Sequence, residues 1–342
     1  MDQADTLSHR IQDARRRFER AGIEPAEAAI DADVLARHAL GGWERGRLLA
    51  AARDPGPPGF AAAFEPLVRR REGREPTGYI IGRREFWELD LEVGPGVLIP
   101  RPETEFLVEE TLARASERVD TGAPGGGGPA VSQPHFNIAD VGTGSGCVAV
   151  ALARWLPAAT ITAIDASDAA LDVARRNAAR HDVGDRVLVV KGDLLREAKG
   201  PYDAVVSNPP YVPTGQLDRL QPEIRLYEPV SALDGGPDGL DVIRRLVPQA
   251  AGRLRPGGWL LFEFGYGQAE DVRAIISAVP GLEFVDLRAD LAGIPRVAVA
   301  RRRVTDSENS VASRIPPASP EPAGRPSGEG GSPESRTSNP GP

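Results

Sequence analysis

Apolar residues recur at helical spacing through the first quarter of the chain and at strand spacing through much of the remainder. Leu7, Ile11, Ala14 and Phe18 fall on one helical face, with Arg15, Arg16, Arg17 and Glu19 on the others. Pro25 suits the start of a second helix, whose stripe of Ala28, Ala32, Leu35 and Ala39 ends at Gly41-Gly42. Phe60, Phe64, Leu67 and Val68 give a further amphipathic stretch, so residues 1–76 read as a small helical unit. From Gly78 the pattern changes. Tyr79-Ile80-Ile81 and the alternating run Phe86 to Val93 flank Gly82-Arg83-Arg84, which predicts a hairpin with one wet face over residues 77–100. Val97-Leu98-Ile99 then leads into the extended Pro100-Arg101-Pro102, and a helix is expected from about Glu103.

Beyond this point strands and helices alternate. Strands are predicted at Ile138 to Val141, Thr160 to Ile164, Arg186 to Val190, Tyr202 to Val206, Gly258 to Phe264, Glu283 to Leu287 and Arg296 to Ala300. Helices fit 147–155, 168–181, 239–252 and 268–278. The pattern is that of a doubly wound α/β fold, whose ligand crevice lies outside the carboxyl ends of the strands. The last two strands are joined by a short loop and must pair antiparallel. A mostly parallel, Rossmann-like sheet with an antiparallel last strand at its end separates the methyltransferase version of this architecture from the dehydrogenase version. The catalytic unit is therefore expected over 101–302. Residues 119–136, rich in glycine, are expected to be a flexible insertion, and 303–342, rich in Ser, Pro, Gly and Glu, a disordered tail.

A net charge of −8 argues against a protein whose affinity comes from wrapping a phosphate backbone, so no direct nucleic-acid partner is expected. The single cysteine, Cys147, allows no intramolecular disulfide, and the four histidines show no metal-ligand spacing. No signal-like segment follows Met1, and no apolar run approaches the roughly 20 residues that span a bilayer. A cytoplasmic protein without a membrane partner is expected, monomeric because no extra apolar face is sustained.

Two places carry chemistry. The first is Asp140-Val141-Gly142-Thr143-Gly144-Ser145-Gly146, running from a strand into a helix. Glycines at alternate positions permit a tight turn and close approach of a ligand to helix N–H groups. The spacing G-x-G-x-G differs from the dinucleotide G-x-G-x-x-G. It suits S-adenosyl-L-methionine, which has no pyrophosphate to cradle, and Asp140 can order the loop. Asp165, ending the next strand, can accept hydrogen bonds from ribose hydroxyls. Asp193 ends the third strand where an acid can bind an adenine amino group, with Leu194 placed to pack on the ring. Cys147 reads as a small core residue rather than a nucleophile, having no histidine near it in sequence.

The second place is Asn208-Pro209-Pro210-Tyr211, following the strand from Tyr202 at the edge where a cofactor methyl group would lie. An amide or aromatic amino nitrogen is planar and a poor nucleophile. The Asn208 side-chain oxygen and the Pro209 carbonyl can accept its N–H hydrogen bonds, turning the lone pair toward the methyl group. Pro209 and Pro210 stiffen the backbone that carries these acceptors, and Tyr211 offers a flat surface to the substrate. Asn208 also borders the cofactor. These four residues specify a planar nitrogen without distinguishing glutamine from adenine.

With these residues in view, the chain resembles the release factor glutamine methyltransferases (PrmC/HemK) over about residues 5–302. The resemblance rests on Gly78 to Gly82, Leu98-Ile99-Pro100-Arg101-Pro102-Glu103-Thr104-Glu105, Asp140 to Gly146 and Asn208 to Tyr211. Tyr227-Glu228-Pro229 with Ala232-Leu233, and Glu263-Phe264-Gly265, extend it. The segment Pro100 to Glu105 discriminates best, because amino-adenine methyltransferases do not usually carry it. The resemblance implies an N-terminal helical bundle that docks class 1 peptide chain release factors, a hairpin linker, and a catalytic domain. It further implies that Gly142 to Gly146 and Asp165 hold cofactor and that Asn208 to Tyr211 hold the glutamine of a Gly-Gly-Gln motif. Where some members carry an aromatic after the acid, this chain has Leu194. Arg101 and Glu103 suit either a lid over the methyl donor or a local ion pair and cap; Glu263 suits either substrate orientation or a buried structural role.

Three other functions compete. An N6-adenine methyltransferase would use the same Asn208 to Tyr211 geometry but needs a basic groove and a target-recognition region. An NAD-dependent oxidoreductase is disfavoured by the glycine spacing. A cofactor-binding regulator would have no use for a pair of amide acceptors.

Overall fold

A computed structural model of the chain describes residues 6–120 and 135–304. Four helices open it: α1 (Leu7–Arg20), α2 (Pro25–Ala39), α3 (Arg45–Ala50) and α4 (Phe60–Glu72). Their stripes meet in one core containing Leu7, Ala14, Phe18, Ala28, Leu35, Phe60 and Phe64. Pro25 occupies the first turn of α2, and the Glu24 carboxylate accepts from the free N–H groups of Ala26 and Glu27.

The hairpin differs from the sequence reading. Thr77–Ile81 is not a strand but a short helix, α5. Pro76 precedes its first residue and Gly82, at φ +75°, ends it. Five residues are too few to display a helical period, so the apolar trio Tyr79-Ile80-Ile81 looks like a strand in sequence. The strands are β1 (Arg83–Phe86) and β2 (Leu89–Glu92), paired antiparallel with Phe86 opposite Leu89. Trp87 and Glu88, at φ +49° and +58°, form the two-residue turn that matches the twist of a hairpin.

A 3-10 turn, Pro102–Thr104, enters α6 (Glu105–Asp120), and β3 (Phe136–Val141) follows. The segment read as a flexible insertion thus gives up both ends to regular structure, while 121–134 lies outside the described residues, as does the tail beyond residue 304. The remaining elements are α7 (Cys147–Trp155), β4 (Ala159–Asp165), α8 (Asp168–Arg180), β5 (Val187–Lys191), β6 (Tyr202–Ser207), α9 (Pro222–Tyr227), α10 (Asp241–Arg253), β7 (Leu254–Glu263), α11 (Ala269–Ser277), β8 (Leu282–Ala289) and β9 (Pro295–Arg302). The order across the sheet is β5-β4-β3-β6-β7-β9-β8. Six strands run parallel, and β9 alone is antiparallel to its neighbours. The antiparallel strand is last in the chain, but it lies between β7 and β8 rather than at the edge. The short connection from β8 sets β9 beside it, and β9 fills the gap next to β7.

Side-chain alternation splits the core. Ile138, Ala204, Val206 and Leu261 pack under the helices on one face, and Ala139, Val205, Leu260 and Phe262 under those on the other. All six residues of β6 are buried, as a central parallel strand requires. From β3 the chain steps outward to β4 and β5, then returns to place β6 on the other side of β3. The crevice of this fold opens at that reversal.

Polar contacts tie the N-terminal helices to α9 and the hairpin to α8. Arg71 on α4, 1% exposed, donates to Asp31 at 2.7 Å, Glu27 at 3.0 Å and Glu223 of α9 at 2.7 Å. Arg74 donates to both oxygens of Glu223, at 2.7 and 2.6 Å. Burial pushes the Arg71 guanidinium down, but Asp31 and Glu223 more than reverse this and hold it above its ordinary value. Asn177 of α8, fully buried, receives the Glu92 N–H at 2.7 Å and donates to the Glu92 carbonyl at 2.9 Å and the Ser145 carbonyl at 2.8 Å. No helix among the described residues is long and apolar enough to cross a membrane.

Candidate active site

The parallel register sets Val141 of β3 beside Ser207 of β6, so the turns that follow them leave the sheet side by side. One is Gly142 to Gly146 and the other Asn208 to Tyr211. A cleft runs between them, walled by Val97, Leu98, Pro100 and Arg101 above, and by Asp165, Asp193, Leu194 and Pro229 along its length.

The glycine turn is left-handed at all three glycines, with φ of +71°, +54° and +79° at Gly142, Gly144 and Gly146. A Cβ on Gly144 would meet no protein atom within 4 Å, whereas one on Gly146 would come 3.1 Å from Ala174. Asp140 is buried beneath the turn. One of its oxygens accepts from Thr143 Oγ1 at 2.6 Å and the Ala149 N–H at 3.2 Å. Burial pushes its carboxyl up to about 7. Asp165 accepts from the N–H groups of Gly144 and Ser167, both at 2.9 Å, which fixes it at the cleft edge with lone pairs to spare. Asp193 has a partner that its sequence position does not reveal: Arg245 of α10 donates to both of its oxygens, at 2.6 and 2.5 Å. Leu194, at φ +55°, holds a conformation costly for a branched side chain and lies in the cleft wall. The Cys147 thiol borders the cleft, but burial pushes it up to about 12, so it stays protonated at neutral pH.

These features fit S-adenosyl-L-methionine. The buried Ser145 hydroxyl beside the cleft has no hydrogen-bond partner beyond its proximity to the Cys147 thiol, and so offers a polar group to a ligand. Gly144 leaves its outer side open, and Asp165 is held at the cleft edge.

Of the second motif, Asn208 and Pro210 reach the cleft wall. Pro209 is buried, and Tyr211 sits outside the wall, its hydroxyl donating to Glu263 Oε1 at 2.9 Å. Burial and the neighbouring Glu263 raise the Tyr211 phenol well above its ordinary range. Asn208 Nδ2 donates to Thr104 Oγ1 at 2.9 Å, and Thr104 Oγ1 donates to Glu263 Oε2 at 2.7 Å. Thr104 lies inside a stretch marked as distinctive in the sequence, yet nothing in residue type or spacing singles it out. Arg101 bonds Glu228 at 2.6 Å, and Glu228 also accepts the Ile99 N–H at 3.3 Å, fastening the cleft roof to the segment after α9.

A mostly parallel seven-stranded sheet with this glycine turn and an Asn-Pro-Pro-Tyr loop at its reversal point defines a class I methyltransferase, a class whose fold implies S-adenosylmethionine as methyl donor. Residues 130–221 match the methyltransferase small domain, and residues 10–82 the PrmC N-terminal domain. The chain is 41% identical over 303 residues to the release factor glutamine methyltransferase of Moorella thermoacetica, covering 87% of this chain and 99% of that one. It is 45% identical over 258 residues to that of Geobacter sulfurreducens, covering 75% and 83%. The chain belongs to the release factor glutamine methyltransferase family. Among solved structures, the hMettl16 catalytic domain bound to the MAT2A 3'UTR hairpin 6 aligns with a TM-score of 0.49 at 18% identity, over 70% of this chain and 83% of that one. The ribosomal protein L11 methylase of Lactobacillus delbrueckii aligns at 0.40 and 19%, over 60% and 81%. Nothing about the reaction rests on either.

Proposed function

We propose that this protein methylates the side-chain amide nitrogen of the glutamine in the Gly-Gly-Gln motif of class 1 peptide chain release factors. S-Adenosylmethionine, when bound, supplies an electrophilic methyl group on a sulfonium. The chain's own residues have two tasks: to hold the donor along the cleft and to present the amide nitrogen in line with it. Asp140, Gly142, Thr143, Gly144, Ser145 and Gly146 form the donor's cradle, with Asp165 for ribose hydroxyls and Asp193 and Leu194 at the adenine end. Asn208 Oδ1 and the Pro209 carbonyl accept the two N–H groups of the substrate amide. Pro210 keeps that loop stiff, and Tyr211 backs it. Alignment of this kind can remove on the order of 7–11 kcal/mol from a barrier, and no strong base is required, since a methylated cationic amide is acidic.

What carries the reading is the adjacency of Gly142 and Asn208, each leaving a neighbouring strand at the sheet's reversal, joined to a family-wide N-terminal region. By the same reading, residues 1–76 dock the release factor, 77–100 link, and 101–302 carry out the transfer. The adenine-directed alternative has no comparable support. The deciding assay is transfer of labelled methyl from S-adenosylmethionine to a purified release factor, comparing Gln with Ala in its Gly-Gly-Gln motif. Label on the Gln protein alone, abolished by Asn208→Ala, is the expected result. Label in DNA or RNA instead would overturn the glutamine assignment.

A further inference from the structure

Behind the Asn-Pro-Pro-Tyr loop, four side chains from three distant stretches form a linear chain of hydrogen bonds. Asn208 Nδ2 faces Thr104 Oγ1 at 2.9 Å, Thr104 Oγ1 faces Glu263 Oε2 at 2.7 Å, and the Tyr211 hydroxyl faces Glu263 Oε1 at 2.9 Å. Thr104 is 2% exposed and Glu263 1%, so solvent cannot substitute for either of them.

The two ends of a carboxamide have nearly the same shape, and packing does not tell oxygen from nitrogen; only hydrogen bonds do. That distinction matters at Asn208. Its oxygen can accept an N–H from an amide substrate, whereas its NH2 would set donor against donor. A threonine hydroxyl carries one proton, and once that proton is donated its oxygen can only accept. With Glu263 receiving the Thr104 proton, Thr104 Oγ1 is left as an acceptor, and the group facing it must be the Asn208 NH2. The Asn208 oxygen is thereby turned away from Thr104. Tyr211 donates to the other Glu263 oxygen and completes the polarity of the chain.

We infer that Thr104 is a positioning residue: together with Glu263 it dictates which end of the Asn208 amide faces the nitrogen to be methylated. This rests on the methyl-transfer reading above, but not on the choice of acceptor, since any planar nitrogen needs the oxygen end. Thr104 also lines the cleft, but in this role its contact is with Asn208. It acts through Asn208, and its contribution appears in the transition state, where the acceptor hydrogen bonds reshape the nitrogen, more than in binding.

The test is the split between kcat and KM in hydroxyl variants of Thr104. Thr104→Val keeps the shape and removes both the donor and the acceptor. It is expected to lower kcat about ten- to a hundredfold, by analogy with the loss of one oriented group at a reacting centre. KM for the protein acceptor and the dissociation constant for S-adenosylhomocysteine should stay within about twofold of wild type. Thr104→Ser, which restores the hydroxyl without the methyl, should recover kcat to within about threefold. An unchanged kcat in Thr104→Val would overturn the inference. So would an equal loss in Thr104→Ser, because the methyl group rather than the hydroxyl would then be at work. Should Thr104→Val fail to fold, Thr104→Cys, whose thiol is a weak donor, must show the same kcat-specific loss. Each comparison uses the acceptor that the wild type methylates, so failure of the glutamine assignment and failure of this inference give separate results.

Discussion

Replacing Arg71 by methionine isolates the energetics of the ion cluster between the helical region and α9. Arg71 is 1% exposed, and its partners Asp31 and Glu223 have side chains only 10% exposed. The two are not equally dependent on it. Glu223 keeps both bonds from Arg74, at 2.7 and 2.6 Å, whereas Asp31 loses the guanidinium bonded to it at 2.7 Å. Glu27, half-exposed, is screened by water and adds little. Arg71→Met therefore leaves one buried carboxylate uncompensated, and breaking a buried pair from one side costs about 3–5 kcal/mol. Removing the stranded charge as well, in Arg71→Met with Asp31→Asn, should return at least about half of that loss, about 1.5–2.5 kcal/mol, and the coupling exceeds this by whatever Asp31→Asn costs alone. Urea unfolding followed by circular dichroism and by tryptophan fluorescence gives the midpoints, and agreement of the two probes licenses the comparison. A single variant costing under about 1 kcal/mol would refute the reasoning, as would a double variant no more stable than the single one.

Gly146→Ala should cost about 2 kcal/mol, because φ is +79° and the new methyl meets Ala174 at 3.1 Å; a melting curve reads the loss, and titration with S-adenosylhomocysteine should show at least a tenfold weaker affinity. Asp140 gives a pH dependence of definite sign. Its carboxyl titrates at about 7 when folded and near 3.8 when unfolded, so from about pH 4 to pH 7 the folded state holds the extra proton and stability falls as pH rises. Asp140→Asn keeps an oxygen for Thr143 and Ala149 but cannot ionise. The stability of wild type minus that of Asp140→Asn should therefore decline by a few kcal/mol across that window in urea titrations at successive pH values; a flat difference would contradict the burial argument.

Much of this architecture is legible without coordinates because it is local. The run Cys147–Trp155 and the strands around it announce themselves by period, and the alternate glycines announce a turn. Local pattern misleads where it is short: Thr77–Ile81 is five residues with three consecutive large apolar side chains, and only Pro76 and Gly82 betray its helix. It says nothing where partners are remote. Arg71 and Glu223 are 152 positions apart, Thr104 and Glu263 159, and no periodicity links them. The same blindness covers Asp193, whose position at a strand end gives no sign that Arg245, 52 residues on, donates to both of its oxygens. The position of β9 inside the sheet likewise depends on pairing that the length of a connection cannot specify.

Asn177 makes two separate seams depend on a single amide. Its amide pairs with the peptide of Glu92 as another strand would, and with its second contact it holds the Ser145 carbonyl, so one side chain clamps the hairpin to the glycine turn. Exchanging that amide for a carboxylate, as in Asn177→Asp, hardly changes the shape, yet it sets a negative oxygen against two carbonyl oxygens where two hydrogen bonds stood. A single change at this position would therefore loosen the hairpin and the glycine turn together, although the two lie more than fifty residues apart in sequence.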